Sequence, residues 1–178
     1  MEEHVVLVDR HDRPVGTMEK LAAHREGRLH RALSVVLRSA DGRKLLLQRR
    51  AVGKYHSGGA WTNTCCSHPR PGEEPEAAAV RRLREEMGID LDGLEKLFAT
   101  VYRADVGAGL TEHEYVHVYG GVWDGPVRPD PAEVAEHAWF DTVELRRDIA
   151  EHPERYSPWF RTYVARFWNQ MAGVPETA

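Results

Sequence analysis

The sequence predicts a mixed α/β sandwich, and three observations carry that prediction. Short apolar runs bounded by turn residues recur in both halves of the chain, a helix with a clear apolar stripe lies between them, and a second helix closes the chain. At 178 residues, 42% hydrophobic and 29% charged, the chain can bury the core of one ordinary globular domain, expected to span residues 1–178. Low-complexity runs and internal repeats are absent.

Residues 4–8 form an apolar strand ending at Asp9, the segment containing Pro14 is a turn, and residues 15–20 return as a second strand. From residue 21 to 31 neither a helical nor an alternating pattern holds and Gly27 interrupts the run, so this stretch is a loop or a short irregular helix carrying His24 and His30. Residues 33–37 and 45–48 are strands flanking Ala40-Asp41-Gly42, a hairpin signal. Arg49, Arg50 and Lys54 follow in a loop that runs through Ser57-Gly58-Gly59, and residues 61–69 include the end of a buried strand. Pro71-Gly72 makes a turn, and Pro75 suits the first turn of a helix, where its missing N–H costs nothing. Ala79, Val80, Leu83 and Met87 give that helix its stripe, and Gly88 stops it. Residues 96–102 and 114–122 are strands separated by a Gly-containing loop, irregular over residues 106–110. A short strand at 138–140 and a short helix at 143–149 come next. Ser157-Pro158 then caps and opens a final helix that packs Phe160, Val164, Phe167 and Trp168.

A net charge of −4 creates no field that argues for nucleic acid or an anionic membrane. No apolar run approaches the ~20 residues that span a bilayer, and the start Met1-Glu2-Glu3-His4 has neither the basic nor the apolar segment of a signal peptide. The expectation is a soluble, cytoplasmic protein with no membrane insertion and no nucleic-acid partner, its two cysteines reduced. Ten histidines exceed what packing requires and direct attention to metal ligation.

Both cysteines lie in Trp61-Thr62-Asn63-Thr64-Cys65-Cys66-Ser67-His68-Pro69. A thiol and an imidazole this close fit a nucleophile with its base, a metal site, or a packed strand end. Glu112 and Glu114, two apart, share a face if the strand already begins there; read alone, the pair belongs to the solvated loop before it. With His24, His30 and His68 they make a set of three imidazoles and two carboxylates, suited to Mn2+, Zn2+ or Fe2+. The separation of His24 from His30 is not the i,i+4 pattern of a helical site.

From Ser67 the chain reads Ser67-x5-Glu73-x7-Arg81-Arg82-Leu83-Arg84-Glu85-Glu86-Met87-Gly88-Ile89. This resembles the Nudix box, G-x5-E-x7-R-E-U-x-E-E-x-G-U, whose glutamates hold Mg2+ against a diphosphate. Ser67 replaces its first glycine, and Arg82 replaces the glutamate of its R-E pair, reversing a charge central to hydrolysis. On a solvated helix face Arg82 and Glu86 would be an ordinary i,i+4 ion pair. Facing a diphosphate, the guanidinium would instead make paired, charge-assisted hydrogen bonds.

Together with Tyr102-Arg103-Ala104, Glu112-His113-Glu114 and Ser157-Pro158-Trp159, these motifs resemble type I isopentenyl diphosphate isomerase from about His4 to Trp168, where an arginine at the position of Arg82 is typical. The resemblance implies a Nudix-type αβα sandwich with a mixed sheet. It implies Cys66 as the catalytic thiol, Glu114 as the opposing acid/base, Tyr102 as support for Glu114, and Trp159 facing the reacting carbons. His24, His30, His68, Glu112 and Glu114 match metal ligands for Mn2+, Mg2+ or Zn2+. Glu86 matches a contributor to a second Mg2+ carried by the substrate diphosphate, and Lys20, Arg50, Lys54 and Arg82 match diphosphate contacts. Cys65 matches no catalytic position and is assigned to packing. A Nudix hydrolase of a diphosphate substrate is the competing enzyme reading, weakened by Arg82. A metal-stabilised binding domain with Cys66 and His68 as structural ligands is the non-enzymatic one.

Overall fold

The structure is a computed structural model describing residues 3–173; the two ends of the expected 1–178 domain lie outside the described residues. In chain order the elements are β1 (His4–Val8), β2 (Pro14–Glu19), α1 (Lys20–Glu26), β3 (His30–Arg38), β4 (Lys44–Arg50), β5 (Trp61–Thr62), β6 (Cys65–Ser67) and α2 (Pro75–Met87). They continue with β7 (Glu95–Gly107), β8 (Leu110–Val122), β9 (Val134–Asp141), α3 (Thr142–Glu151) and α4 (Pro158–Ala172). All nine strands join one mixed sheet.

β3 lies at the centre of that sheet. Along one side it pairs in parallel with β8 over its whole length; along the other it pairs antiparallel with β1, β6 and β4 in turn. Its side chains alternate between two cores, as a strand buried on both faces requires. Ala32 and Val36 pack with Phe160, Tyr163 and Val164 of α4, whereas Leu33, Val35 and Leu37 pack with Ala79, Leu83 and Met87 of α2. Leu45 and Leu47 take the α4 side and Leu46 the α2 side. Helices therefore cover both faces, the αβα arrangement expected. None of the helices of the described residues is long and apolar enough to cross a membrane.

α2 has the expected shape, with Pro75 in its first turn and Gly88 left-handed after its last. Four segments differ from expectation. The stretch 21–31 contains a regular helix. The Glu19 side chain accepts from the Leu21 and Ala22 N–H groups and left-handed Gly27 closes the far end, so its caps rather than an apolar period define it. Lys20 consequently opens α1 instead of ending β2, and His30 already belongs to β3. Arg49 and Arg50 are not in a loop but end β4, which pairs with β9. The supposed loop between the seventh and eighth strands is mostly ladder: Arg103 faces His113 and Ala104 faces Glu112, leaving a two-residue turn at Ala108-Gly109, both with positive φ. The short strand at 138–140 extends to the whole of β9.

Candidate active site

Strand register assembles the chemistry. The parallel pairing of β3 and β8 sets His30 beside Glu114; the antiparallel pairing of β7 and β8 sets Tyr102 opposite Glu114; the pairing of β3 and β6 sets Ser34 opposite Cys66. Glu112 and Glu114, two apart on one strand, share that face and are only 3% and 7% exposed, so the solvated-loop reading of this pair fails. α1 adds His24, α2 adds Arg82 and Glu86, and the first turn of α4 adds Trp159. A cavity of about 230 Å³ is lined by Cys66, His68, Tyr102, Glu112, Glu114 and Trp159, and by Lys20, Arg50, Lys54 and Arg82. His24, His30 and Glu86 do not line it; all three are buried in its walls.

Two groups of ligand atoms occur there: His24, His30, His68 and Glu114, and His24, His56 and Glu112, sharing His24. His24 Nδ1 stands 2.7 Å from the Lys20 carbonyl and His30 Nδ1 2.8 Å from the Arg28 carbonyl. A carbonyl only accepts, so each Nδ1 carries the proton and donates it, and in the neutral ring Nε2 presents a lone pair inward. The inward contacts are close: His30 Nε2 to His68 Nε2 at 3.2 Å, and His68 Nε2 to Glu114 Oε1 at 3.0 Å. The Nε2 atoms of His24 and His56 are buried without a hydrogen-bond partner. Converging nitrogen donors around two carboxylates fit a divalent ion of the Mn2+ to Zn2+ series.

Against its burial, the facing Glu112 carboxylate draws the His24 imidazole upward, whereas the carboxylates and His68 are held in the states a cation site requires. Burial and the adjacent Glu114 charge oppose ionisation of Glu112, yet the facing His24 and His56 imidazoles hold its carboxyl below the usual range. Glu114 is likewise held ionised against its burial, by His30 and by the Tyr102 hydroxyl, which donates to Oε2 at 2.5 Å. Burial drives the His68 imidazole well down, with the neighbouring His30 adding to the effect, which keeps it neutral.

Cys65 and Cys66 point to opposite faces, as adjacent strand residues must. Cys65 is buried in the α2 core, whereas Cys66 packs on the α4 side and lines the cavity. The Cys66 thiol donates to Asn63 Oδ1 at 3.0 Å and accepts from Trp159 Nε1 at 3.2 Å. Asn63 is itself fixed, donating to the Val35 and Cys65 carbonyls at 3.0 and 2.8 Å. Burial pushes the thiol up to about 11, so it is protonated at neutral pH.

The cations arrive partnered. Lys20 pairs with Glu3 at 2.9 Å and lies over the Tyr55 ring, Lys54 pairs with Glu133, and Arg82 pairs with Glu85 and Glu86 at 2.7 and 2.5 Å. The Arg82–Glu86 pair thus forms, but with Glu86 buried and held from the other side by Gln48 rather than on a solvated face. Arg50 donates to the His56 carbonyl at 3.3 Å and lies 5.3 Å from the Trp159 ring centroid.

Sequence reasoning missed His56, Glu133, Asn63 and Ser34 as parts of this site. His56 follows Tyr55 in a loop read only for its cations, and its surplus imidazole was the one signal available. Glu133 sits far from every motif and meets Lys54 only through the β4–β9 pairing.

Fold and site define a NUDIX-domain protein, and the NUDIX domain family model matches residues 28–161. Solved structures with this fold include a protein from Deinococcus radiodurans, TM-score 0.73 at 23% identity, covering 92% of this chain and 98% of that one. A Nudix hydrolase from M. smegmatis has TM-score 0.60 at 20% identity, covering 97% and 98%. Sequence relatives are more specific. Isopentenyl-diphosphate Delta-isomerase 2 of Aromatoleum aromaticum is 52% identical over 93% of this chain and 87% of its own. The isopentenyl-diphosphate Delta-isomerase of Burkholderia multivorans is 49% identical over 98% and 96%. The chain belongs to the isopentenyl-diphosphate Delta-isomerase family within the NUDIX superfamily.

Proposed function

We propose that this chain, acting as a single domain, converts isopentenyl diphosphate to dimethylallyl diphosphate in isoprenoid biosynthesis. The observation that carries this reading is a thiol, Cys66, and a carboxyl, Glu114, lining one cavity that is also lined by Lys20, Arg50, Lys54 and Arg82. Moving the double bond adds a proton at one carbon and removes another two carbons away, through a tertiary carbocation-like state. That requires one group bearing a proton and one able to take it, positioned in a site that excludes water. Cys66 and Glu114 would divide those two tasks. Tyr102 orients Glu114 through its hydroxyl. The Trp159 ring offers a π face to developing positive charge without a nucleophile to trap it, and its N–H holds the thiol.

Lys20, Arg50, Lys54 and Arg82 would bind the diphosphate, with Lys20, Lys54 and Arg82 exchanging their present acidic partners for it, and Glu86 would help hold the Mg2+ that accompanies it. A Mn2+, Mg2+ or Zn2+ ion held by His24, His30, His68, Glu112 and Glu114 would supply fixed positive charge that locks the carboxylates in place. Hydrolysis is disfavoured because the position of Arg82 carries a cation, paired to Glu85 and Glu86.

The test is incubation of the protein with isopentenyl diphosphate and Mg2+. Formation of dimethylallyl diphosphate is expected; phosphate release without isomer would overturn the proposal.

A further inference from the structure

We infer that His56 is an additional ligand to the divalent ion of the His/Glu site, entering from the loop between β4 and β5. The inference rests on the proposed metal site and adds to it a residue from the segment that also carries Lys54. His56 is 6% exposed although it lies in a loop beside two positive-φ residues, Ser57 and Gly59. Its Nε2 stands 2.7 Å from Glu112 Oε1 yet lacks hydrogen-bond geometry. Its ring lies roughly parallel to that of His24 at 5.7 Å, and His24 Nε2 likewise faces Glu112 at 3.5 Å without a hydrogen bond. The three ligand atoms of His24, His56 and Glu112 lie within 4.8 Å of one another.

A short contact that is poorly directed for a hydrogen bond is what two donors aimed at a common third point produce. A buried imidazole serving only to position Glu112 would turn its N–H along the line to the carboxylate oxygen, since an unpaired buried polar atom is costly. His56 then belongs to the group of His24 and Glu112, which meets the group of His30, His68 and Glu114 at His24.

The consequence is a link between metal and diphosphate. His56 is two residues from Lys54, and its carbonyl accepts from Arg50. Seating its imidazole on the ion fixes the loop that presents Lys54 and the carbonyl that Arg50 binds, so metal loading pre-organises the anion site.

Two readouts independent of turnover test this. In the Co2+-loaded protein, proton NMR counts the paramagnetically shifted ring N–H signals that vanish in D2O. Four are expected in the native chain and three in His56→Gln. The substituted amide retains a donor for Glu112 but supplies no imidazole, so a hydrogen-bonding role would leave the count at three in both. Co2+ affinity, measured by competition with a chelator, is expected to fall at least 10-fold in the variant. Three signals in the native chain, or affinity unchanged by the substitution, would overturn the role of His56 alone. Absence of Co2+ binding by the native chain would overturn the metal site itself, and His56 with it.

Discussion

Trp159 Nε1 donates to the Cys66 Sγ across 3.2 Å, so the first turn of the last helix holds the thiol of a strand 93 residues earlier. Asn63 accepts that thiol's own proton from the other side. The sulfur is therefore aimed by two fixed groups, which separates its role from that of its neighbour. Cys66→Ala is expected to fold with a near-native melting temperature and to lose about 10²–10⁴-fold in isomerisation. Cys65→Ala should keep activity within a few-fold while losing about 1 kcal/mol of stability from the α2 core. Paired turnover and thermal-denaturation measurements check both; equal activity in the two variants would refute the assignment.

Tyr102→Phe removes only the hydroxyl that donates to Glu114. A hydrogen bond to a charged group contributes roughly 1.5–3 kcal/mol, so kcat is expected to fall roughly 10- to 100-fold. Steady-state kinetics decide the matter: an unchanged kcat would mean that the hydroxyl does nothing for the reaction.

Lys54 and Glu133 predict a rescue. Lys54→Ala leaves the Glu133 carboxylate with only the Arg82 guanidinium, 3.7 Å away, beside the place of the diphosphate, so KM for isopentenyl diphosphate should rise more than the loss of one cation explains, by about 10-fold or more. Adding Glu133→Gln removes the repulsion and should return part of that loss, a non-additivity that a double-mutant cycle measures. Simple additivity would argue against Glu133 facing the substrate.

Glu73 accepts from Arg81 Nε and Nη2 at 2.6 and 2.7 Å, across the start of α2. Those hydrogen bonds, helped by the Arg70 N–H, hold its carboxyl below the ordinary 4.5. A carboxyl whose folded value is depressed contributes stability above 4.5 and loses it as pH falls through the folded value. Glu73→Gln should therefore be less stable than the native chain by about 1 kcal/mol at pH 7. The two should converge in acid, a crossover that urea denaturation at pH 7 and pH 3 reveals.

Metal binding should be visible as stability, because it is linked to folding. An ion present at 100 times its Kd adds ≈ 2.7 kcal/mol, which for a chain this size is a rise of roughly 5–10 °C in melting temperature. Thorough chelation should remove that increment and abolish isomerisation, and Mn2+ or Zn2+ should restore the melting temperature. A melting curve indifferent to all three treatments would contradict the His/Glu site.

Much of this arrangement is legible in the amino-acid sequence itself. The stripe Ala79-Leu83-Met87 and its Pro75 and Gly88 boundaries define α2, because that helix buries one face and announces it in its period. α1 escaped because seven residues held by Glu19 and Gly27 need no period. The inner halves of β7 and β8 escaped for the opposite reason: Glu112 and Glu114 occupy inward positions where a core strand would carry Val or Ile, so the strand reads as solvated loop. Residues named by motif were brought together around the cavity; those named by none, Glu133 and His56, depend on long-range pairing and loop path, which spacing does not encode.

The register of β8 under the cavity acts as a reading frame of two. One residue inserted between Glu112 and Val116 would move a carboxylate to the opposite face and bring His113 round into its place, so a change that keeps every side chain would still dismantle the site. Two inserted residues would preserve the phase but carry the carboxylate about 6.6 Å along the strand, past His30 and Tyr102. The turn at Ala108-Gly109 lies beyond the site-bearing pairs and is free of that constraint. Length variation in this ribbon is therefore expected at the tip and not beneath the cavity.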